Sequence, residues 1–132
     1  MPDKDVSQYV KPEYPLSHIT AKIIAAAKEV HQTLGPGFEE KIYQRALMLQ
    51  MQADSLEPGR EVWIPVKYKG RVVGRKRVDF VVEGVMVEIK AKATLEPVDF
   101  VQALSYIKAS DYKVGLLINF GGKELQIKRL AN

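Results

Sequence analysis

The chain has 132 residues, which suits one domain that buries enough surface to fold without disulfides or a structural metal. It contains no cysteine, which excludes a disulfide framework, a thiolate zinc site and a cysteine nucleophile. The formal net charge of +4 is compatible with a polyanionic partner, but many ordinary proteins share it.

The N-terminal segment differs from the rest of the chain. Residues 1–16 have no hydrophobic periodicity, and Pro2, Pro12 and Pro15 disfavour a helix there. We expect a flexible arm over 1–16 and one domain over 17–132. The arm has no apolar core of the signal-peptide kind. No apolar run approaches the roughly 20 residues of a membrane span, so we expect a cytoplasmic protein without membrane partners.

Two helices are predicted to open the domain. Ser17 is a candidate N-cap for the first, in which apolar residues recur at helical spacing. Gly35-Pro36-Gly37 then ends that helix, because a residue before proline avoids helical angles. The second helix is predicted over about 38–53.

Three strands joined by tight turns come next. Alternating apolar residues predict the first over 61–68. A turn at Lys69-Gly70 leads into a second strand that continues to Val82. A turn at Glu83-Gly84 leads into a third strand over 85–91, so we expect the second and third strands to pair.

A third helix and two more strands complete the chain. The helix opens at Glu96-Pro97, with proline in the tolerated first turn. The apolar run over 113–119 is typical of a central strand covered on both faces, and the last strand is predicted over 124–130. A helix between the third and fourth strands predicts a right-handed crossover joining parallel strands. We therefore expect an α/β (α+β) fold, one mixed β-sheet flanked by helices in the order ααβββαββ.

Polar residues on the second and third strands form the most informative pattern. Glu88 and Lys90 share one face of their strand while Ile89 lies on the other, because strand side chains alternate. Asp79 on the neighbouring strand brings a second carboxylate. Two carboxylates at such a short distance are not both ionised unless a positive charge lies between them. A hard divalent cation would satisfy that condition, and such a metal can activate water against a phosphodiester.

Four motifs in order resemble a known family. Val78-Asp79-Phe80 and Glu88-Ile89-Lys90 resemble the PD-(D/E)xK nuclease superfamily, with Val78 in place of the usual proline. Gly37-Phe38-Glu39-Glu40-Lys41-Ile42-Tyr43 matches Gly-x-x-Glu-x-x-Tyr, and Gln102-Ala103-Leu104-Ser105-Tyr106 matches Gln-x-x-x-Tyr. Together they look like the small bacterial GxxExxY proteins, a branch of that superfamily. The resemblance implies a nuclease-like core and metal-dependent hydrolysis of DNA or RNA.

The resemblance assigns a role to each motif residue. Asp79 and Glu88 would hold magnesium or manganese, with Glu40 as an outer member of the acidic cluster and the Ile89 carbonyl as a further ligand. Lys90 would stabilise charge that develops on the phosphate, or help to orient and deprotonate the attacking water. The helix dipole alone would also favour a carboxylate at Glu40.

Three further motif residues have open alternatives. Tyr43 shares a helix face with Glu40 and either holds it in place or fills core space. Gln102 and Tyr106 also share a face, and each has a group that can bind a phosphate oxygen or an active-site water. For Tyr106, packing in the core is the stronger alternative, whereas for Gln102, beside apolar Val101 and Ala103, an inward polar role is favoured.

Six cationic residues are concentrated in the hairpin that the first two strands form. This cluster consists of Lys67, Lys69, Arg71, Arg75, Lys76 and Arg77. The cluster is either a solvated hairpin or a rim that contacts phosphates beside Asp79. Trp63 lies on the opposite strand face from Val62 and Ile64, where it would stack on a base, cover a helix or form an oligomer contact.

Two classes of function remain open from the sequence. The leading interpretation is a metal-dependent nuclease in which Glu40, Asp79, Glu88, Lys90, Gln102 and Tyr106 form the site. The alternative is a non-catalytic nucleic-acid-binding or assembly module that retains the nuclease fold. Because the chain has no added DNA-recognition domain, sequence specificity would need a homodimer or another partner.

Overall fold

The structure, a computed structural model, describes residues 4–11 and 14–132, so Pro2 and Pro12 of the arm lie outside the described residues. After a short 3-10 helix at Ser7–Tyr9, the elements are α1 (Ser17–Leu34), α2 (Glu40–Ala53), β1 (Pro58–Tyr68), β2 (Arg71–Val82), β3 (Val85–Lys90), α3 (Pro97–Lys108), β4 (Val114–Asn119) and β5 (Gln126–Ala131). From α1 onwards this is the predicted order, with small shifts at the ends of the elements. None of the helices within the described residues is long and apolar enough to cross a bilayer.

The five strands form one mixed sheet in the order β1-β2-β3-β4-β5. β1, β2 and β3 pair antiparallel, β3 and β4 pair parallel, and β5 is antiparallel to β4. The parallel pair is the one joined through α3, as expected because parallel neighbours need a crossover connection. The predicted mixed sheet with flanking helices is confirmed.

Helices cover the two faces of the sheet and create two cores. The larger core, between α1, α2 and the sheet, includes Ile23, Tyr43, Leu47, Phe80, Val87, Ile89 and Ile118. The smaller core, beneath α3, includes Ile64, Val78, Met86, Ala103, Ile107 and Leu117. Every residue of β4 is buried, as predicted for a central strand covered on both sides.

The described part of the arm lies against α1. Lys4 forms ion pairs with Glu29 and with Asp54, the latter at 2.8 Å. The Lys28 ammonium lies 5.1 Å from the centroid of the Tyr9 ring. Exposed contacts of this kind contribute little to stability, so flexibility of the arm stays a prediction.

Ser17 does not cap α1 as its sequence position suggests. Leu16 occupies the N-cap position with φ 57°, and no side chain among the described residues caps the helix there. Ser17 is instead the first helical residue, and its Oγ accepts a hydrogen bond from the Lys11 backbone N–H. The hydroxyl therefore links the arm to α1, which only the path of residues 4–11 could decide.

The loop after β4 closes tightly on the chain that follows β3. The Phe120 N–H donates to the Lys90 carbonyl at 2.9 Å. A Cβ added at Gly121 would lie 2.4 Å from the Lys92 nitrogen and 2.5 Å from the Ala91 carbonyl carbon. Both obstacles are backbone atoms, which do not rotate away as a side chain would. This close approach fixes the chain immediately after Lys90.

Gly121→Ala should therefore destabilise the protein. Overpacking of this kind typically costs about 1–3 kcal/mol. Gly74→Ala is the matched control, because a Cβ at Gly74 in β2 would have nothing within 4 Å. That variant should be neutral or gain about 0.4–1 kcal/mol from a less flexible unfolded chain. Thermal unfolding checks both variants, and equal melting temperatures would contradict the tight approach.

Candidate active site where β2 and β3 separate

Regular pairing between β2 and β3 stops at Asp79 and Glu88. The ladder runs from Val82 opposite Val85 to Phe80 opposite Val87, so the next pair would join Asp79 to Glu88. Each carboxylate instead accepts a hydrogen bond from the other strand's backbone. Asp79 Oδ2 accepts from the Ile89 N–H at 2.8 Å, and Glu88 Oε1 accepts from the Asp79 N–H at 3.1 Å. The strands can therefore separate without leaving these two donors unpaired.

Asp79 also lies where β2 changes the face that it buries. Val78 packs in the core beneath α3 and Phe80 in the core beneath α1 and α2, although residues two apart in a strand normally share a face. On the neighbouring strand β1, Glu61 has φ 54° and is skipped by the β1–β2 pairing, which joins Arg60 to Phe80 and Val62 to Val78. This local irregularity directs the Asp79 carboxylate towards β3 instead of into either core.

Gln44 on α2 holds the second oxygen of Asp79. Its Nε2 donates to Asp79 Oδ1 at 2.9 Å, and the side chain is 4% exposed. Its Oε1 is buried with no hydrogen-bond partner among the described residues. Leaving such a group unpaired typically costs about 1–3 kcal/mol. Sequence reasoning missed Gln44, although its position four residues after Glu40 places both on one helix face.

Glu88 is the most strongly perturbed acid in the site. Its side chain is buried, at 8% exposure. Burial first, and then the negative charge of Asp79, raise the pKa of Glu88 to about 7. The hydrogen bond from the Asp79 N–H and the charges of Lys76 and Lys90 act in the opposite direction. The Asp79 and Glu88 carboxylates thus repel each other, as predicted for two neighbouring acidic groups.

Glu40 lines the same cleft from the first turn of α2. Although its side chain is exposed at the mouth, partial desolvation raises its pKa, which Lys90 lowers and Asp79 raises. Among residues 4–11 and 14–132, no three His, Cys, Asp or Glu side chains form a group that could hold a metal ion. Asp79 and Glu88 therefore form a close pair, and Glu40 does not complete a three-residue ligand cluster with them.

Lys90 lines the cleft beside the carboxylate pair and is partly buried. Its charge acts on Glu40, Glu88 and the more distant Asp99. The next lysine on that face, Lys92, is instead held by Glu96 at 2.8 Å and by Asp99 at 2.9 Å. Lys90 and Lys76 are thus both cleft lysines whose charges act on the Glu88 carboxylate.

Tyr43 fills core space and does not hold Glu40. Its hydroxyl donates to the Gly35 carbonyl at 2.6 Å and accepts from the Phe38 N–H at 3.2 Å. Its ring stacks on Phe120 with centroids 4.9 Å apart. Tyr43 therefore fastens the loop before α2, which sets where that helix begins.

The two motif residues on α3 lie outside the cleft. Gln102 is exposed and does not line the cavity. Tyr106 packs partly buried against the core beneath α3, the alternative that sequence reasoning favoured. The Lys76 ammonium lies 5.1 Å from the centroid of the Tyr106 ring, and Lys76 lines the cleft. Tyr106 therefore lies beside one cleft residue, Lys76, whereas Gln102 has no part in the lining of the cavity.

The wall of the cleft opposite α2 is basic. Arg75, Lys76 and Arg77 line it together with Trp63, and the cavity measures about 540 Å³. Surveyed ligand sites span about 300–1,000 Å³. The other three cations of the cluster, Lys67, Lys69 and Arg71, do not line the cavity. Half of the predicted basic rim thus lies beside Asp79.

The buried Glu88 should make the stability of the metal-free protein depend on pH. Between about pH 4.5 and pH 7 the folded protein retains a proton on Glu88 that the unfolded chain releases. The folded state then binds more protons, so the free energy of unfolding falls as the pH rises, by about 3 kcal/mol in full. Denaturant titrations in EDTA should show this fall in wild type and its absence in Glu88→Gln. The exposed Glu124→Gln is the control, and identical pH profiles for all three proteins would contradict the assignment.

Comparison with known proteins agrees with the arrangement of these elements. Neither the curated proteins nor the solved structures gave a significant match. A family model described as the PD-(D/E)XK nuclease superfamily matches residues 17–130, which is nearly the whole chain. With a mixed sheet that brings the Asp79, Glu88 and Lys90 motifs to one cleft, the chain belongs to the PD-(D/E)XK nuclease superfamily.

Proposed function

We propose that this protein is a metal-dependent nuclease of the GxxExxY branch that hydrolyses phosphodiester bonds of DNA or RNA. The observation that carries the proposal is the pair of Asp79 and Glu88 at the end of the β2–β3 ladder, with Lys90 in the same cleft. A structural ion pair would neutralise these carboxylates, whereas here the nearby lysine and arginine side chains line an open cavity. Membership of the nuclease superfamily supports the same reaction class.

The donor set suits magnesium or manganese. Both cations prefer hard oxygen ligands, and magnesium in proteins commonly takes one or two carboxylates with water and substrate phosphate. The Ile89 N–H points at Asp79, and a strand residue directs its N–H and C=O to the same neighbouring strand, so the Ile89 carbonyl faces the same opening. Asp79, Glu88 and that carbonyl would hold the ion. When bound, the ion would polarise the phosphate and make water more acidic.

The chain's own residues then have separable roles. Gln44 orients Asp79 through its amide N–H group. Glu88 must be ionised to act as a ligand, so binding of a cation would release the proton that this carboxyl retains near neutral pH. Lys90 stabilises negative charge that develops on the phosphate oxygens, or orients the attacking water. Lys76 and the arginines beside it attract the nucleic-acid backbone.

The direct test is a cleavage assay on single-stranded, duplex and branched DNA and on RNA, with magnesium, manganese or EDTA. Wild type should cut at least one substrate in the presence of metal, and Asp79→Ala should not. Cleavage that persists in EDTA would contradict a metal-dependent reaction. Binding with a steep salt dependence but no cleavage under any metal would replace the proposal with a non-catalytic binding module.

Divalent metal should stabilise the folded protein through Asp79 and Glu88. A ligand that binds only the native state adds about 2.7 kcal/mol at a hundredfold excess over its dissociation constant. Magnesium or manganese should raise the melting temperature of wild type but not that of Asp79→Asn with Glu88→Gln. Asp111→Asn with Glu124→Gln removes the same charge from exposed positions and is the control. Equal metal responses in the wild type and the Asp79, Glu88 variant would reject the site.

Lys90→Ala should separate chemistry from binding. The change leaves both carboxylates and the basic wall, so metal stabilisation should persist and nucleic-acid affinity should fall only slightly. Cleavage should drop by at least about a hundredfold, as is typical when one such group is lost. Lys108→Ala, at an exposed position near the end of α3, is the control for loss of one positive charge. Single-turnover cleavage at saturating protein measures the effect, and an unchanged rate would remove Lys90 from the reaction.

A further inference from the structure

We infer that Trp63 is a stacking platform for an unpaired base, so that the cleft takes single-stranded nucleic acid. The inference rests on the proposed function for the nature of the ligand, and it adds the substrate class at the same site. It needs nucleic-acid binding but not turnover, which allows the two ideas to fail separately.

Trp63 is exposed at a position where the sheet gives it no core to fill. Its neighbours Val62 and Ile64 pack in the core beneath α3, whereas 54% of Trp63 remains exposed. The indole lines the same cleft as Asp79 and Glu88. A large, half-exposed aromatic side chain beside a reactive site is suited to recognise a flat ligand.

The two arginines of the basic wall lie against the same ring. The Arg75 guanidinium lies 4.8 Å and that of Arg77 5.7 Å from the centroid of the Trp63 ring. They come from β2, where Arg77 is paired with Trp63 and Arg75 with Pro65. Flat cations over an indole occupy the space that a base would use, so they mark a surface that binds planar groups.

The magnitudes favour replacement of a guanidinium by a base. An exposed cation–π contact changes an equilibrium constant by about 2- to 5-fold. Stacking of a base on an aromatic side chain changes it by about 5- to 140-fold. A displaced guanidinium also gains a partner, because the phosphate attached to that base can accept its hydrogen bonds. Stacking and phosphate binding therefore reinforce each other at this wall.

The comparison of stacking with the cost of extruding a base favours single-stranded over duplex nucleic acid. In a duplex both faces of a base are covered by its neighbours, and extruding it costs the free energy of unstacking and unpairing. Contact with one indole does not offset that cost, whereas a single strand offers its bases freely. The site would distinguish single strands from duplexes by access to the face of a base, and it would not read the hydrogen-bonding edge that identifies the base.

Trp63 provides its own probe, because it is the only tryptophan in the chain. Oligothymidylate or oligouridylate added in EDTA, where no metal-dependent cleavage occurs, should quench its fluorescence saturably. A duplex of the same length should bind more weakly and quench less. Binding to labelled strands, followed by anisotropy, should weaken about 5- to 140-fold in Trp63→Ala, which corresponds to the loss of one stacked base. Trp63→Phe should recover part of the affinity, and the comparison of the two oligonucleotides separates DNA from RNA.

The matched control is Tyr68→Ala, which removes another aromatic of β1 that is 63% exposed but does not line the cleft. It should leave affinity unchanged. Unchanged single-strand affinity in Trp63→Ala, or equal quenching by duplex, would overturn the inference. So would sedimentation showing that Trp63→Ala dissociates a dimer while binding single strands normally.

If the protein binds strands as expected but never cuts them, the platform stands and the nuclease proposal fails. If it cuts duplex equally well with and without Trp63, the nuclease stands and the platform fails.

Discussion

The geometry of the site depends on an exchange of hydrogen bonds between two strands. Asp79 accepts from the Ile89 backbone and Glu88 accepts from the Asp79 backbone, in place of the next rung of the β2–β3 ladder. An opened sheet normally leaves unpaired donors, which are costly when buried. Here the two carboxylates satisfy those donors themselves, and in doing so they are held next to one another. The same contacts therefore open the sheet and assemble the acidic pair.

The acidic pair is electrostatically unfavourable without a cation. Burial and the Asp79 charge raise the pKa of Glu88 to about 7. Gln44 fixes the orientation of Asp79, while its own amide oxygen has no hydrogen-bond partner within residues 4–11 and 14–132. Strain and unsatisfied groups that persist in a folded protein tend to lie at functional sites, where a ligand relieves them. In the proposed nuclease, a divalent cation would be that ligand.

The β1–β2 hairpin and the opening between β2 and β3 have different roles in the proposed function. The hairpin supplies Trp63 and the cations at 75–77, which suit a nucleic-acid strand. The opening supplies Asp79 and Glu88, which suit a metal. Because β2 belongs to both, it brings the two groups to one cleft. Binding and chemistry are thus linked through a single strand.

The sequence by itself determined the order of elements, the parallel pair around α3 and the proximity of Asp79, Glu88 and Lys90. These follow from periodicity and from one short turn, which are local properties. Tertiary packing decided the rest. Gln44 reaches Asp79 only because α2 packs against the sheet beside that residue, and Gln102 is exposed because Ala103 and Ile107 set the rotation of α3. No short-range pattern encodes how a helix is rotated against a sheet, since that depends on contacts between residues far apart in the chain.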